Sequence, residues 1–147
     1  TEFDLSRALM SAALSFLTLV YEQGKKMSLD IPDAISFKGD ENRIKQLLLI
    51  LLDNALKNSN EGDVVSLKLD ISGSKKIITV YNTGAGLDNK ECEKIFERFY
   101  RADSSRTRET GGYGLGLAIA RTITEAHRGK IFAEGKKDSW AKFTVVL

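Results

Sequence analysis

The amino-acid sequence predicts an α+β fold built as a two-layer sandwich, with helices in one layer and strands in the other. Three stretches repeat apolar residues at helical spacing. Shorter stretches between them have the composition and alternation of strands. The helical stretches stand apart along the chain and the strands fall mostly in hairpin-like pairs, which is the pattern of such a sandwich.

Each predicted helix has an apolar face and residues suited to its ends. The first helix covers residues 5–23, the second residues 41–58 and the third residues 115–127. The apolar face of the second helix is wide. The residues suited to capping are Asp4 or Ser6, then Asp40, with Gly24 and Gly129 at the C-terminal ends.

The predicted strands account for most of the remaining chain. Residues 64–71 and 76–81 form the clearest hairpin, joined by a turn at Gly73. Asp88 can cap a short helix, with an acidic residue three positions on as in a capping box. Residues 100–112 are polar, charged and glycine-containing, which predicts a mobile loop. The other predicted strands are residues 27–31, 35–38, 130–134 and 141–147.

Length and composition indicate one ordinary globular domain. The 147 residues suit a single core, and the formal net charge of +2 gives no overall electrostatic footprint for nucleic acid or a membrane. The one cysteine, Cys92, cannot form an internal disulfide, which is compatible with a reducing compartment. No apolar run reaches the roughly 18 residues that span a bilayer, and no signal-peptide pattern is recognised.

The end of the second helix carries the first candidate site. Asn54 and Lys57 are three residues apart, so their side chains are neighbours on the helix surface. An amide oxygen can bind Mg²⁺, which usually keeps waters and substrate phosphates as further ligands, and a lysine one turn on can approach phosphate. The alternative is a solvated helix edge on which Asp53 and Lys57 form a surface ion pair.

Three further segments suit a ligand that carries phosphate. Gly84 and Gly86 follow a predicted strand and allow a tight turn with close approach of backbone to ligand. Arg98 and Arg101 are three residues apart and can face a phosphate, beside two phenylalanines that predict an apolar anchor. Glycines also precede the third helix, whose N-terminus favours an anion. This last segment lacks the Gly-Lys-Ser/Thr of a P-loop and the βαβ context of a dinucleotide site.

Each segment alone is compatible with an ordinary turn or helix edge, but their order and spacing resemble a known family. The stretches FDLS, GDENRIKQLLLILLDNALKNS, IFERFYRADSSR and GGYGLGLAIARTITEAHRGKI are similar to the ATP-binding catalytic domain of sensor histidine kinases. That domain belongs to the ATPase superfamily of DNA gyrase B, MutL and the heat-shock chaperones. The resemblance implies a Bergerat-type fold, a mixed, mostly antiparallel sheet with about three helices on one face. It implies one such domain over residues 1–147, with an ATP lid at about residues 88–111.

The resemblance also implies roles for individual residues. Asn54 corresponds to the asparagine that holds Mg²⁺ on the ATP phosphates, and Lys57 and Arg101 to basic residues that contact phosphate and assist its transfer. Asn82 stands where the family usually has an aspartate that accepts a hydrogen bond from the adenine amino group. A neutral amide there predicts ATP binding weaker by about 1 kcal/mol, and tighter binding in an Asn82→Asp variant. The expected ATP contacts are Asn54, Lys57, Asn58, Asn82, Gly84, Gly86, Leu87, Tyr100, Arg101, Gly112, Gly114, Leu115 and Gly116.

The activity implied by the resemblance is transfer of the γ-phosphoryl group of ATP to a histidine on a separate dimerisation domain, with a response regulator downstream. Nothing in this chain resembles that phosphoacceptor domain. The sole histidine, His127, is expected to have a structural or capping role at the end of its helix. The resemblance further implies a monomeric domain with no nucleic-acid partner and no direct membrane contact, in the cytoplasmic part of a membrane-anchored sensor.

Two alternative functions remain open at the level of sequence. One is a nucleotide-sensing interaction module without transfer activity, which is favoured by Ile50, Asn58 and Asn82 because all three depart from the family pattern. The other is a serine kinase of the anti-sigma-factor type, which shares the nucleotide site. The stretch FERFYRADSSR resembles histidine kinases and speaks against the serine kinase.

Overall fold

The computed structural model describes residues 1–100 and 115–147. Within these residues, three α-helices pack on one face of a five-stranded sheet, and two short strands form a second sheet. The prediction of a two-layer sandwich with a mixed, mostly antiparallel sheet is confirmed. In the described part of the chain, every helix is too short or too polar to cross a membrane.

The three helices begin and end close to their predicted positions. They are α1 (Leu5–Glu22), α2 (Glu41–Lys57) and α3 (Gly116–Ala126). The carboxylate of Asp4 accepts the backbone N–H of the third residue of α1 at 2.9 Å, and that of Asp40 does the same for α2 at 3.2 Å. These side chains satisfy donors that the helix itself leaves free, which stabilises each helix by about 1 kcal/mol.

The strands in the described part of the chain are β1 (Glu2–Asp4), β2 (Lys26–Asp30), β3 (Ser36–Lys38), β4 (Val64–Ser72), β5 (Lys75–Thr83), β6 (Lys130–Lys136) and β7 (Trp140–Val146). The main sheet has the strand order β2-β4-β5-β7-β6. In this sheet β2 and β4 are parallel, and the other neighbouring strands are antiparallel. The three-residue strand β1 pairs with β3 in the second sheet.

Helix α2 lies at the centre of the domain. It contacts α1 on one side, α3 on the other, and strands β4 and β5 beneath. Its apolar side chains are buried, and each fully buried leucine stabilises the fold by roughly 1.5–3 kcal/mol relative to an exposed one. The buried residues of α2 are Ile44, Leu47, Leu48, Leu51, Leu52, Ala55 and Leu56. This packing fixes the position of the polar residues at the C-terminal end of α2.

The segment after the glycine turn is less helical than predicted. It contains two single 3₁₀ turns, Asn89–Glu91 and Lys94–Phe96. The Asp88 carboxylate does cap the first turn, accepting the N–H of Lys90 at 3.0 Å. The predicted capping box is wrong, however, because the N–H of Glu91 donates to the Asp88 peptide oxygen and not to its side chain.

Candidate functional site

The C-terminal end of α2 brings polar residues together. Asn54 is half-buried, and the Nδ2 of Asn58 donates to the Asn54 peptide oxygen at 2.8 Å. Lys57 is exposed, and its Nζ lies 2.9 Å from Oδ2 of Asp53. The surface ion pair considered as an alternative is therefore present. Because both partners are exposed, the pair contributes at most about 1 kcal/mol, so Lys57 can exchange Asp53 for another anion.

Asn82, at the end of β5, is almost fully buried, with 1% of its surface exposed. Its Nδ2 donates to the peptide oxygens of Thr83 at 3.1 Å and of Asn58 at 3.4 Å. The Asn58 oxygen also accepts the N–H of Ala85 at 3.0 Å. The two bonds to the Asn58 oxygen join the end of α2 to the end of β5 and to the turn that follows it. Because both neighbours of Nδ2 are acceptors, they fix the orientation of the amide and leave Oδ1 as its acceptor atom.

The turn after β5 contains two glycines that the fold itself requires. A Cβ atom at Gly84 would lie 2.5 Å from the peptide oxygen of Asn58, and one at Gly86 would lie 2.0 Å from that of Lys136. Both residues have positive φ, +133° and +71°. The N–H of Gly84 donates to the peptide oxygen of Ser139 at 3.0 Å, and this bond joins the turn to the β6–β7 hairpin. These protein contacts account for the glycines without a ligand.

The phenylalanine-containing segment is anchored by one ring. Phe96 is buried and its ring meets that of Phe143 edge-on, with centroids 6.0 Å apart. Phe99 has a φ of +65° and is 68% exposed, so the prediction that both phenylalanines form an anchor is wrong for Phe99. Tyr100 is half-buried. The pKa of Tyr100 is raised, mainly because its hydroxyl is desolvated and secondly because of a hydrogen bond with Glu91.

Helix α3 begins beside α2, near the polar residues. A Cβ at Gly116 would lie 3.4 Å from Cγ2 of Ile50, so the backbone of α3 passes close to α2 at this point. Leu115 occupies the N-cap position and makes no side-chain capping bond. An uncapped helix N-terminus can bind an anion through its N–H groups. Three of the predicted site residues, Arg101, Gly112 and Gly114, lie outside the described residues.

Residues 39–147 match the model of a protein family described as histidine kinase-, DNA gyrase B- and HSP90-like ATPase. The chain belongs to this ATPase family. The matched range begins just before α2 and includes α2, β5, the glycine turn and the start of α3. Leu87, which is buried and directly follows Gly86 in the sequence, lies in the same matched range.

Curated relatives of this ATPase domain are sensor kinases. The chain is 36% identical over 141 residues to the sensor histidine kinase WalK of Bacillus subtilis, covering 94% of this chain and 23% of WalK. It is 35% identical over 144 residues to the signal transduction histidine-protein kinase BaeS of Escherichia coli, covering 98% of this chain and 31% of BaeS. The chain thus spans less than a third of either relative. The resemblance to the ATP-binding domain of sensor histidine kinases is confirmed.

Solved structures of histidine kinases share the fold of this ATPase domain along its whole length. The catalytic domain of histidine kinase ThkA superposes with a TM-score of 0.85 at 26% identity, covering 100% of this chain and 93% of that domain. Full-length ShkA in complex with AMPPNP superposes with a TM-score of 0.83 at 27% identity, covering 99% of this chain and 30% of ShkA. ThkA in complex with the response regulator TrrA superposes with a TM-score of 0.80 at 26% identity, covering 100% of this chain and 41% of that chain.

His127 has the structural role expected of it. Its Nε2 accepts the N–H of Asp40 at 3.0 Å, which places the ring proton on Nδ1, 2.9 Å from the peptide oxygen of Ile123. The ring also packs 6.0 Å from that of Phe37. Nε2 therefore joins the end of α3 to the N-cap residue of α2, while Nδ1 bonds within the last turn of α3 itself.

Two charged residues near the site, Lys25 and Asp63, were not predicted from the sequence. Lys25 is 8% exposed and donates to the peptide oxygen of Leu56 at 2.6 Å. Asp63 accepts the hydroxyl of Thr83 at 2.9 Å. No sequence signal separates Lys25 from Lys26, since both follow a helix-ending glycine and only the tertiary fold decides which one is buried.

Proposed function

We propose that this domain binds Mg-ATP and transfers the γ-phosphoryl group to a histidine on a separate dimerisation domain, as the catalytic part of a sensor histidine kinase. The observation that carries the proposal is the junction at the Asn58 peptide oxygen, where Asn82 and Ala85 meet the end of α2 in a member of this ATPase family. The likeness to ShkA, whose structure contains AMPPNP, supports the binding of a nucleotide.

Asn82 is the proposed reader of the adenine ring. Its two N–H bonds are directed at peptide oxygens, so Oδ1 is the atom that accepts a hydrogen bond from the adenine 6-amino group. Simultaneous donation from Nδ2 to adenine N1 would break one of the bonds to Thr83 or Asn58. Turning the amide over would bring Oδ1 against two other oxygens. The environment of Asn82 therefore supports a purine that presents a donor, as adenine does, at this position.

Asn54 and Lys57 are the proposed contacts to Mg²⁺ and phosphate. The amide oxygen of Asn54 fits Mg²⁺, which takes oxygen ligands and retains waters and phosphate oxygens, and the bound ion would neutralise phosphate charge. Lys57 would leave its exposed pair with Asp53 to contact phosphate as a point charge. Arg101 is proposed to offset the charge that develops during transfer. The remaining proposed ATP contacts are Asn58, Gly84, Gly86, Leu87, Tyr100, Gly112, Gly114, Leu115 and Gly116.

The proposed reaction needs a second domain. Residues 88–111 would cover the nucleotide as a lid, and of these the structure describes residues 88–100. The attacking histidine and its acidic assistant would come from the dimerisation domain, and the product would serve a response regulator. ThkA, which shares this fold, forms a complex with the response regulator TrrA. Because the reaction consumes cellular ATP, we expect the domain on the cytoplasmic side of a membrane-anchored sensor.

A calorimetric titration with ATP, with and without Mg²⁺, tests the nucleotide site. Wild type is expected to bind more tightly with Mg²⁺ present, and Asn54→Ala is expected to lose that dependence because its amide oxygen is gone. Asn42→Ala removes an exposed asparagine at the other end of α2 and is the matched control, with unchanged binding. Absence of binding in wild type would contradict the proposal.

Phosphoryl transfer is tested by incubation with a cognate dimerisation domain and labelled ATP. A phosphohistidine is lost on mild acid treatment, whereas a phosphoserine survives it. Acid-labile label on the partner domain is the expected result. Acid-stable label would assign the domain to the serine kinases, and nucleotide binding without any label would assign it a sensing role.

A further inference from the structure

Lys25 is a buried cation that the proposed reaction does not use. With 8% of its surface exposed, its Nζ donates to the peptide oxygen of Leu56 at 2.6 Å and to Oε1 of Gln23 at 2.8 Å. The Leu56 oxygen belongs to the last turn of α2 and also accepts the Ser59 hydroxyl at 2.9 Å. A cation is electrostatically favoured at the carbonyl end of a helix. Since Ser59 already satisfies this oxygen, hydrogen-bond satisfaction alone does not require Lys25.

The turn that Lys25 holds is in direct contact with the candidate nucleotide site. Leu56 is two residues before Asn58, whose peptide oxygen accepts Nδ2 of Asn82 and the N–H of Ala85. A Cβ atom at Gly84 would lie only 2.5 Å from the same oxygen, so the contact is tight. A shift in the last turn of α2 is therefore transmitted to the end of β5.

Asp63 supports the same junction from the β5 side. Its carboxylate accepts the hydroxyl of Thr83 at 2.9 Å and the N–H of Asn60 at 2.7 Å. Thr83 directly follows Asn82, so this bond restrains the residue next to the proposed adenine reader. The charge of Asp63 also attracts Lys25. One cation and one carboxylate thus hold the two chain segments that meet at the site.

Burial disfavours the charged form of the Lys25 side chain. Desolvation of its ammonium group exceeds the attraction of Asp63, and the pKa of Lys25 is lowered. When an apolar side chain of similar length replaces Lys25, Asp63 keeps its hydrogen bonds to Asn60 and Thr83, so the substitution removes a desolvation cost without leaving an unpaired buried charge. Its contact with the Leu56 oxygen places the ammonium group at the last turn of α2, next to the candidate site.

We propose that Lys25 is a positioning residue for the nucleotide site. Its Nζ binds the Leu56 oxygen and so fixes the last turn of α2, which keeps Asn54 and Asn58 in a constant position relative to Asn82. This inference rests on the proposed function, because the affinity that it concerns is that for Mg-ATP.

The test compares Lys25→Met with Lys26→Met, which removes the neighbouring, exposed lysine. For Lys25→Met, the dissociation constant for Mg-ATP is expected to rise about three- to tenfold, the equivalent of one hydrogen bond. The unfolding midpoint of the nucleotide-free variant is expected to equal or exceed that of wild type. Lys26→Met is expected to match wild type in both measurements. Lys25→Arg, which keeps a cation, is expected to retain more affinity than Lys25→Met.

Three results would overturn the proposal. Unchanged affinity in Lys25→Met would show that the contact with Leu56 has no influence on the site. A lower unfolding midpoint, or failure to fold, would assign Lys25 to stability. If wild type itself binds no nucleotide, the proposed function fails and this inference fails with it, whereas normal binding by wild type and Lys25→Met together refutes the inference alone.

Discussion

Replacing Asn82 with aspartate tests the junction between α2 and β5. In the structure, Nδ2 of Asn82 donates at 3.1 Å to Thr83 and at 3.4 Å to Asn58, and the residue is 1% exposed. Aspartate has almost the same shape, but it places an anionic oxygen where the donor stands, opposite two peptide oxygens. The effect of the substitution is therefore electrostatic and not a change of packing.

The expected loss of stability follows from these contacts. The bond to Thr83 is worth about 1 kcal/mol, and an unpaired, desolvated oxygen in its place costs about 1–3 kcal/mol more. The longer contact with Asn58 adds little. The free energy of unfolding should decrease by about 2–4 kcal/mol at neutral pH, which lowers the unfolding midpoint by about 6–12 °C for a domain of this size.

The loss should depend on pH. Burial beside two peptide oxygens is expected to raise the pKa of the new carboxyl group above its value in the unfolded chain. A protonated carboxyl group can donate to one of these oxygens, so the variant is most stable, relative to wild type, below the unfolded pKa. That stability is lost as the pH rises through the raised folded pKa.

Circular dichroism melts of wild type, Asn82→Asp and the control Asn42→Asp measure this effect at neutral and mildly acidic pH. Asn42 is exposed in the first turn of α2, so its change should be within about 0.5 kcal/mol. Folded Asn82→Asp is still expected to bind ATP more tightly, by about fivefold, through a charge-assisted bond to adenine. Equal midpoints of Asn82→Asp and wild type at neutral pH would refute the argument that Nδ2 donates to these two peptide oxygens.

Three further predictions concern individual contacts of the fold. Gly84→Ala introduces a Cβ atom 2.5 Å from the peptide oxygen of Asn58, at a φ of +133°. Thermal melts should therefore show a decrease of at least about 3 kcal/mol in the free energy of unfolding. The control Gly73→Ala, where the space around the added Cβ is open, should lose about 1 kcal/mol. His127→Phe keeps an aromatic ring but removes the acceptor for the N–H of Asp40; a denaturant titration should show a loss of about 1 kcal/mol, and no loss would contradict that bond. Desolvation raises the pKa of Cys92, so at mildly alkaline pH its alkylation, followed by mass spectrometry, should be slower in the folded protein than in the unfolded one.

The helices were predictable because their determinants are local. Apolar residues at helical spacing and the side chains of Asp4 and Asp40 lie within or next to the segments that they specify. The hairpin of β4 and β5 was predictable for the same reason, since alternation and a glycine turn lie in one continuous stretch. The family resemblance then supplied the arrangement of these elements, which periodicity alone does not determine.

What could not be predicted depends on contacts between distant parts of the chain. Strand β1 has three residues and exists because it pairs with β3, more than thirty positions away. Phe99 points into solvent because its backbone adopts a positive φ after a 3₁₀ turn, which residue spacing does not reveal. The partners of Asn82 are peptide oxygens, and peptide groups are the same in every sequence. Asn82 was therefore proposed as the adenine contact from the resemblance, while the orientation of its amide group required the structure.

The bond between the glycine turn and the β6–β7 hairpin bears on where a fluorophore or affinity tag is inserted. The tip of that hairpin is a surface turn, yet Ser139 accepts from Gly84, and Asp138 donates to Ala85 at 2.6 Å. An insertion there would pull on the segment beside Asn82. At the tip of the β4–β5 hairpin, a Cβ atom added at Gly73 would meet no other part of the protein within 4 Å, so this tip is the better attachment point for a reporter.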